Sequence, residues 1–142
     1  MPCFTTQVPN LQSVGPIVEI QIAVGTPIQT VLAAAQTPIP QPVRAVAMTD
    51  TGATGTVVRQ GLLAPLSLNP VGLTHINTPS STNLPCYEYA VRLLFPTNVL
   101  VDCTVIEAPL QGQHIQCLIG RDILAHGVLV YIGYSNLFSL SF

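Results

Sequence analysis

The sequence predicts an all-β domain, a closed or strongly bent barrel-like sheet with one short helix near its C-terminus. Three observations carry that expectation. Apolar and polar residues alternate over several short segments, as they do along half-buried strands. Turn-forming residues separate those segments, with 13 Pro and 10 Gly in 142 residues. Only Gly120 to Gly127 reads as a helix, and many short strands with one short helix describe a bent or closed sheet.

The elements follow in order. Ile17 to Val24 places Glu19 and Gln21 between apolar neighbours, the period of a strand with one wet face. Gly25-Thr26-Pro27 reads as a turn, and Ile28 to Ala35 as a second strand, since Ala33-Ala34-Ala35 is too short for an isolated helix. Thr37 to Pro42 holds three prolines and is expected as an extended, exposed loop. Val43 to Thr49 is nearly continuous apolar, as in a central strand covered on both sides. Val57 to Leu63 reads as a strand end and one helical turn, closed by Pro65. Thr74 to Thr78, Tyr87 to Phe95 and Val99 to Ile106 are further strands. In the short helix, Asp122 is the expected N-cap and Gly127 the C′ glycine. Val128 to Ile132 and Leu137 to Phe142 form a hairpin around Gly133-Tyr134-Ser135-Asn136.

Length and composition bound the function. A chain of 142 residues is one domain by size and can bury a core without disulfides or metals. Charged residues make up 7%, against roughly 25% in an average soluble domain. Lys is absent and the cations are Arg44, Arg59, Arg92 and Arg121, which leaves no basic footprint for nucleic acid. Low charge beside 49% hydrophobic residues implies either a surface buried in an oligomer or a large core. Cys3, Cys86, Cys103 and Cys117 form no C-x-x-C pair and read as reduced, small core hydrophobes. His75, His114 and His126 are scattered, so neither a metal site nor any cofactor is expected. The first residues lack a basic and an apolar region, and Ile123 to Phe142 is broken by glycines, so neither a secretory signal nor a membrane span is expected. A cytoplasmic location is the corresponding expectation.

The most informative stretch is Asp50-Thr51-Gly52-Ala53-Thr54, at the exit of the apolar strand Val43 to Thr49. A carboxylate there projects from a strand end. The Thr hydroxyl can hold the loop by hydrogen bonds to backbone, and Gly permits a tight turn and close approach of another chain. Two such carboxylates facing each other cannot both ionise and share one proton. That pair activates water on one side and protonates a carbonyl oxygen on the other. The chain has a single copy, so such chemistry requires a second chain. Asp50-Thr51-Gly52 alone is equally compatible with an Asx-type turn after a strand.

A second element weighs on the choice. Leu118-Ile119-Gly120-Arg121-Asp122-Ile123-Leu124 is an apolar strand, a Gly and a short helix opening on Arg-Asp. Together with Ala45 to Thr54, it resembles the retropepsin-like aspartic peptidases, in which an apolar strand runs into D-[TS]-G-A and two apolar residues later precede G-R-[ND]-φ-L. The resemblance covers most of Val43 to Leu124 and extends loosely to Phe138 to Phe142. The style of the second motif is closest to bacterially encoded members. It implies one domain over 1–142, with N-terminal strands and a Pro-rich loop in 1–42 and the family core in 43–142. It also implies that Asp50 is the catalytic acid of a C2 homodimer. Thr51 would lock the two loops across the two-fold axis, Gly52 would offer its carbonyl to a polypeptide substrate, and Ala53 and Thr54 would complete the loop. Arg121 would brace the loop from behind. Some viral members carry a carboxylate where Thr54 stands, so here Arg121 must find another partner, in Asp122 or in backbone carbonyls. The flap that closes over substrate falls on Ile76-Asn77-Thr78-Pro79-Ser80-Ser81, continuing to Leu84, with Tyr87 to Phe95 as its return strand. Its tip has Pro and Ser where viral flaps have glycines, so an ordinary loop is the competing expectation. Asp102, which lacks a following Thr-Gly, reads as structural or surface. The implied function is an aspartic endopeptidase, and the alternative is a non-catalytic dimeric peptide-binding module of the same fold.

Overall fold

The computed structural model describes residues 1–110 and 114–142. Its larger sheet is a ring. In it run β2 (Ile17–Val24), β3 (Val43–Thr49), β8 (Cys117–Ile119), β4 (Val57–Arg59), β7 (Val99–Ala108) and β6 (Ser81–Phe95), and β6 closes back on β2. β5 (Gly72–Thr78) hangs from the N-terminal half of β6 as a hairpin. The closed barrel foreseen from the strand pattern is therefore present. A second sheet of three strands orders β1 (Cys3–Gln7), β10 (Leu137–Ser141) and β9 (Val128–Ile132), all antiparallel.

The alternation in β2 explains its place. Val18, Ile20 and Ile22 are buried while Glu19 and Gln21 are exposed. The alternation stops at Ala23 and Val24, both buried, where β6 joins and Val24 pairs with Val91. β3 is central, between β2 and β8, but only one face is sealed: Ala45, Ala47 and Thr49 are buried, Val46 and Met48 half-buried. An apolar run had suggested cover on both sides. The second sheet docks on the barrel through aromatic rings. Phe4 stacks on Phe95 at 5.4 Å and meets Phe138 edge-on at 6.2 Å, joining both layers into one hydrophobic cluster.

Several expectations are corrected. Ile28 to Ala35 is not a strand; α2 spans Thr26–Ala34. Gly25 caps it in an extended conformation, Pro27 sits in its first turn with φ already set, and the alanines propagate it. Gln29 Nε2 donates to the Val24 carbonyl, and Thr26 Oγ1 donates to Asp102 Oδ2, so one local and one long-range bond stabilise a helix too short to form alone. The single helix expected is thus one of three among the described residues, the others being α1 (Leu11–Val14) and α3 (Arg121–Leu124). Pro65 does not close a helical turn but lies inside the 3-10 turn Ala64–Leu66. Cys3 is exposed on β1 rather than in the core, while Cys86 and Cys117 are buried. No helix among the described residues is long and apolar enough to cross a membrane.

Topology sets the position of each loop. Ile17 pairs with Met48 and Ile22 with Val43, so α2 and the Pro-rich loop lie at one end of β3 and Asp50 at the other. The seven residues of β3 separate them by roughly 20 Å.

Candidate active site

Asp50 leaves β3 at the point where three strands meet. β8 lies between β3 and β4, parallel to the first and antiparallel to the second, although β3 and β4 are close in sequence. The chain must therefore cross from β3 to β4 over the end of β8. Residues 50–56 form that crossing, and their backbone bonds to β8 and α3. Asp50 N donates to the Ile119 carbonyl at 2.9 Å, Arg121 N to the Ala53 carbonyl at 2.9 Å, and Asp122 N to the Thr54 carbonyl at 3.2 Å. Inside the loop, Gly52 N donates to Asp50 Oδ1 at 2.8 Å and Ala53 N to the Asp50 carbonyl at 3.2 Å. The first of these is an Asx-type turn, so both readings of Asp50-Thr51-Gly52 describe the same local geometry. Asp50 is half-buried, while Thr51 and Gly52 face solvent.

Arg121 sits behind this loop. Its guanidinium donates from Nη1 to the Thr51 carbonyl at 3.0 Å and from Nη2 to Thr54 Oγ1 at 3.2 Å. Of the two partners expected for it, backbone carbonyl is the one found. Asp122 instead accepts from Thr56 Oγ1 at 2.8 Å. Asp122 is not the N-cap of α3; Gly120 is, and Asp122 stands in the first turn, where its charge suits the helix N-terminus. Gly127 lacks the left-handed conformation of a C′ glycine. Its requirement is close packing, since a Cβ there would lie 2.4 Å from the Ser141 carbonyl oxygen.

Two residues were not singled out from sequence. Thr56 is fully buried; besides donating to Asp122, its hydroxyl accepts from Gly120 N at 3.0 Å. Gly55 lies so close to Gly120 that a Cβ on Gly120 would come within 2.4 Å of the Gly55 carbonyl carbon. The signal in hindsight is Gly55-Thr56 entering an apolar strand opposite Ile119-Gly120. Thr49, the last residue of β3, buries a hydroxyl with no partner among the described residues.

No protein-family profile matches the chain, and no curated protein matches it. Among solved structures it is similar to a retropepsin-like aspartic protease from Rickettsia conorii, at 12% identity and TM-score 0.49, over 98% of this chain and 92% of that one. It is also similar to the EIAV protease complexed with the inhibitor HBY-793, at 16% identity and TM-score 0.42, over 84% and 92%. A third is a foamy viral protease-reverse transcriptase in complex with an RNA/DNA hybrid, at 16% identity and TM-score 0.48. The match takes in 78% of this chain and only 12% of that one.

The flap candidate forms a hairpin. Thr78 pairs with Ser81, leaving Pro79-Ser80 as a two-residue connection, and the return strand starts at Ser81 rather than Tyr87. The tip is exposed, and the register shifts between Ile76 and Thr78. Asn83 is left-handed at φ 55, and its N–H donates to Asn77 Oδ1 at 2.9 Å. Thr78 and Ser80 place hydroxyls 3.4 Å apart where the viral pattern has glycines. Asp102 pairs with Arg92 through Nε at 3.0 Å and through Nη2 at 3.1 Å, on β6 and β7 rather than beside Asp50.

Proposed function

We propose that this chain is an aspartic endopeptidase, active as a C2 homodimer in which the Asp50 carboxylates of two copies face each other. The observation that carries the reading is the Asp50 loop. It is bonded to β8 and α3 through its own backbone, braced by Arg121, and leaves Asp50, Thr51 and Gly52 half-buried or open to solvent. A structural Asx turn needs none of that bracing.

In the proposed reaction the pair holds one proton. The ionised carboxylate takes a proton from a water as it attacks the peptide carbonyl carbon, and the other carboxyl gives its proton to the carbonyl oxygen. A tetrahedral diol forms without a covalent enzyme intermediate. Its collapse breaks the C–N bond: the protonated carboxyl gives its proton to the leaving nitrogen, one diol hydroxyl gives its proton to the ionised carboxylate, and the pair again holds one proton. The substrate is an extended polypeptide, held by main-chain hydrogen bonds as an added strand. Gly52 offers its carbonyl to that chain, Thr51 bridges the two loops, and the hairpin around Pro79-Ser80 covers the groove. Because one proton must stay on the pair, turnover favours acidic pH.

The deciding test compares wild type with Asp50→Asn in peptide cleavage from pH 3 to 7. The expected result is cleavage by wild type, sensitivity to a pepstatin-type inhibitor, and none by Asp50→Asn, with equal thermal stability. Turnover by Asp50→Asn at the wild-type rate overturns the proposal. Peptide binding without turnover across this range marks a dimeric peptide-binding module, which the hydroxyl-rich hairpin tip would suit.

A further inference from the structure

The chain carries six acidic residues, and the carboxylates of all but one are engaged. Glu19 faces Arg44 and Asp102 pairs with Arg92. Asp50, Glu107 and Asp122 accept from Gly52 N, Gly61 N and Thr56 Oγ1. Glu88 is the exception. It is half-buried, yet its carboxylate makes no ion pair or hydrogen bond among the described residues. Its place in the sheet gives that carboxylate a use. Residues paired across neighbouring strands share a face. Met48 pairs with Leu118, Leu118 with Val57, Val57 with Ile106 and Ile106 with Glu88, one row across β3, β8, β4, β7 and β6. The four apolar members are half-buried, whereas Ala47, Cys117 and Val58 beside them are buried in the core, so the row lies on the face turned away from it.

Asp50 N still bonds to β8, so the two-residue period of β3 carries Asp50 onto the face of Met48. The β5–β6 hairpin turns this same face inward: Ile76 and Leu84 are half-buried, while His75 and Pro85 on its other face are exposed. Glu88 stands at the base of the hairpin, where it meets the apolar row. Two glycines keep the place open. A Cβ on Gly72, the β5 partner of Glu88, would lie 2.5 Å from Glu88 Oε2, and one on Gly55 would lie 3.2 Å from Ile106 Cδ1. Strands about 4.8 Å apart put Glu88 roughly 19 Å along the row from Met48, and an extended substrate advances about 3.3 Å per residue. We propose that Glu88 is a specificity-determining residue, selecting polypeptides with Lys or Arg within about five residues of the cut. The apolar row takes the methylene stem of that side chain and the Glu88 carboxylate takes its charge. The preference deepens the aspartic-peptidase reading and rests on it for the place of the cut; the pairing of a basic side chain with Glu88 does not.

A peptide library tests it on the full chain, with Lys, norleucine or Glu placed in turn at each position flanking the cut. The ratio of kcat/KM for Lys over norleucine is measured for wild type, Glu88→Gln and Glu88→Lys. Wild type is expected to favour Lys roughly tenfold at one position, the worth of a hydrogen-bonded charge in a partly shielded site. Glu88→Gln should erase that preference, and Glu88→Lys should turn it toward Glu. Each ratio is internal to one variant, so a change in its stability or in its active fraction does not move it. A wild type indifferent to Lys, or a preference that survives Glu88→Gln, overturns the inference. If no peptide is cleaved, the peptidase reading fails, and fluorescence anisotropy with the same peptides decides the role of Glu88. Tighter binding of a Lys peptide, lost in Glu88→Gln, upholds that role in a peptide-binding module. Equal binding of Lys and norleucine peptides, or no binding, overturns it.

Discussion

Replacing Gly120 by Ala tests how the Asp50 loop is held. Gly120 has φ −86 and ψ −179, which any residue adopts, so the substitution introduces no backbone strain of its own. The cost is steric. The new methyl would lie 2.4 Å from Gly55 C, 2.5 Å from Gly55 O and 2.9 Å from Thr56 N, all backbone atoms that cannot swing aside. Forcing the strands apart costs about 2–3 kcal/mol. It also stretches the 3.0 Å bond from Gly120 N to Thr56 Oγ1, about 1 kcal/mol more. The sum, about 3–4 kcal/mol, lowers Tm by roughly 10 °C in a domain of this size. Gly61→Ala is the matched control. Gly61 has φ +84, and a methyl added there would meet nothing within 4 Å, so it bears only the left-handed penalty, about 1–2 kcal/mol. Both variants restrict the unfolded chain equally, and that contribution cancels in the comparison. Urea melts of both should place Gly120→Ala below Gly61→Ala by about 2 kcal/mol. A Gly120→Ala protein within about 0.5 kcal/mol of wild type refutes the contact that the loop is argued to depend on.

Three further outcomes follow from the same geometry. Thr56→Val keeps the shape of a fully buried side chain but deprives Gly120 N of its acceptor and Asp122 of its donor. It should cost about 2 kcal/mol in urea melts, and an isoenergetic variant would remove Thr56 from the scaffold. Asp102 has its pKa lowered by its hydrogen bond to Arg92 and further by that from Thr26. Its contribution is therefore present above the unfolded value, about 3.9, and lost as pH falls through the lower folded value. With the carboxylate 51% exposed the effect stays under about 1 kcal/mol; the gap between wild type and Asp102→Asn at pH 6 should close by pH 2, and a gap constant with pH contradicts it. Burial pushes the Cys103 thiol up to about 12 and raises Cys86 and Cys117, whereas Cys3 is exposed. Brief iodoacetamide treatment of native protein at pH 8 should give a single adduct by mass spectrometry, at Cys3, and fast labelling of a second thiol would contradict the shielding of buried Cys86 and Cys117 and half-buried Cys103.

Local pattern revealed the strands whose period is local. β2 and β6 alternate along their own length, and Gly133 to Asn136 mark the turn of the β9–β10 hairpin, so their positions were legible. α2 was misread because its stabilisation lies elsewhere. Pro27 and the alanines permit a helix, but the bond from Thr26 to Asp102, 76 positions away, helps fix it, beside a local bond from Gln29 to Val24. The crossing of β8 between β3 and β4 was not legible either. Cys117–Ile119 is three residues long, and its partners lie at Ala47–Thr49 and at Val57–Val58. At the site, Asp50 and Arg121 stood out because their motifs are compact. Thr56 did not, since a lone Thr entering an apolar strand resembles any β-branched strand residue until Gly120 N is seen pointing at it.

On the proposed reading, the bonding around Asp50 bears on why each chain needs one copy of the motif. The bonds that fix the loop come from the same chain: Ile119, Arg121 and Asp122 on one side, Gly52 and Ala53 within it. Gly55 and Gly120 make room for that packing, and Thr56 satisfies the N–H that the close approach would otherwise strand. The loop is thus ordered before any partner arrives, and association need not spend free energy on ordering it. On the proposed reading, a second chain supplies the other carboxylate. A rigid loop with its acid at the open end is a poor place to put a structural turn and a suitable half of a symmetric acid pair. On that reading, the symmetry that would complete it demands an interface that brings two copies of this loop together.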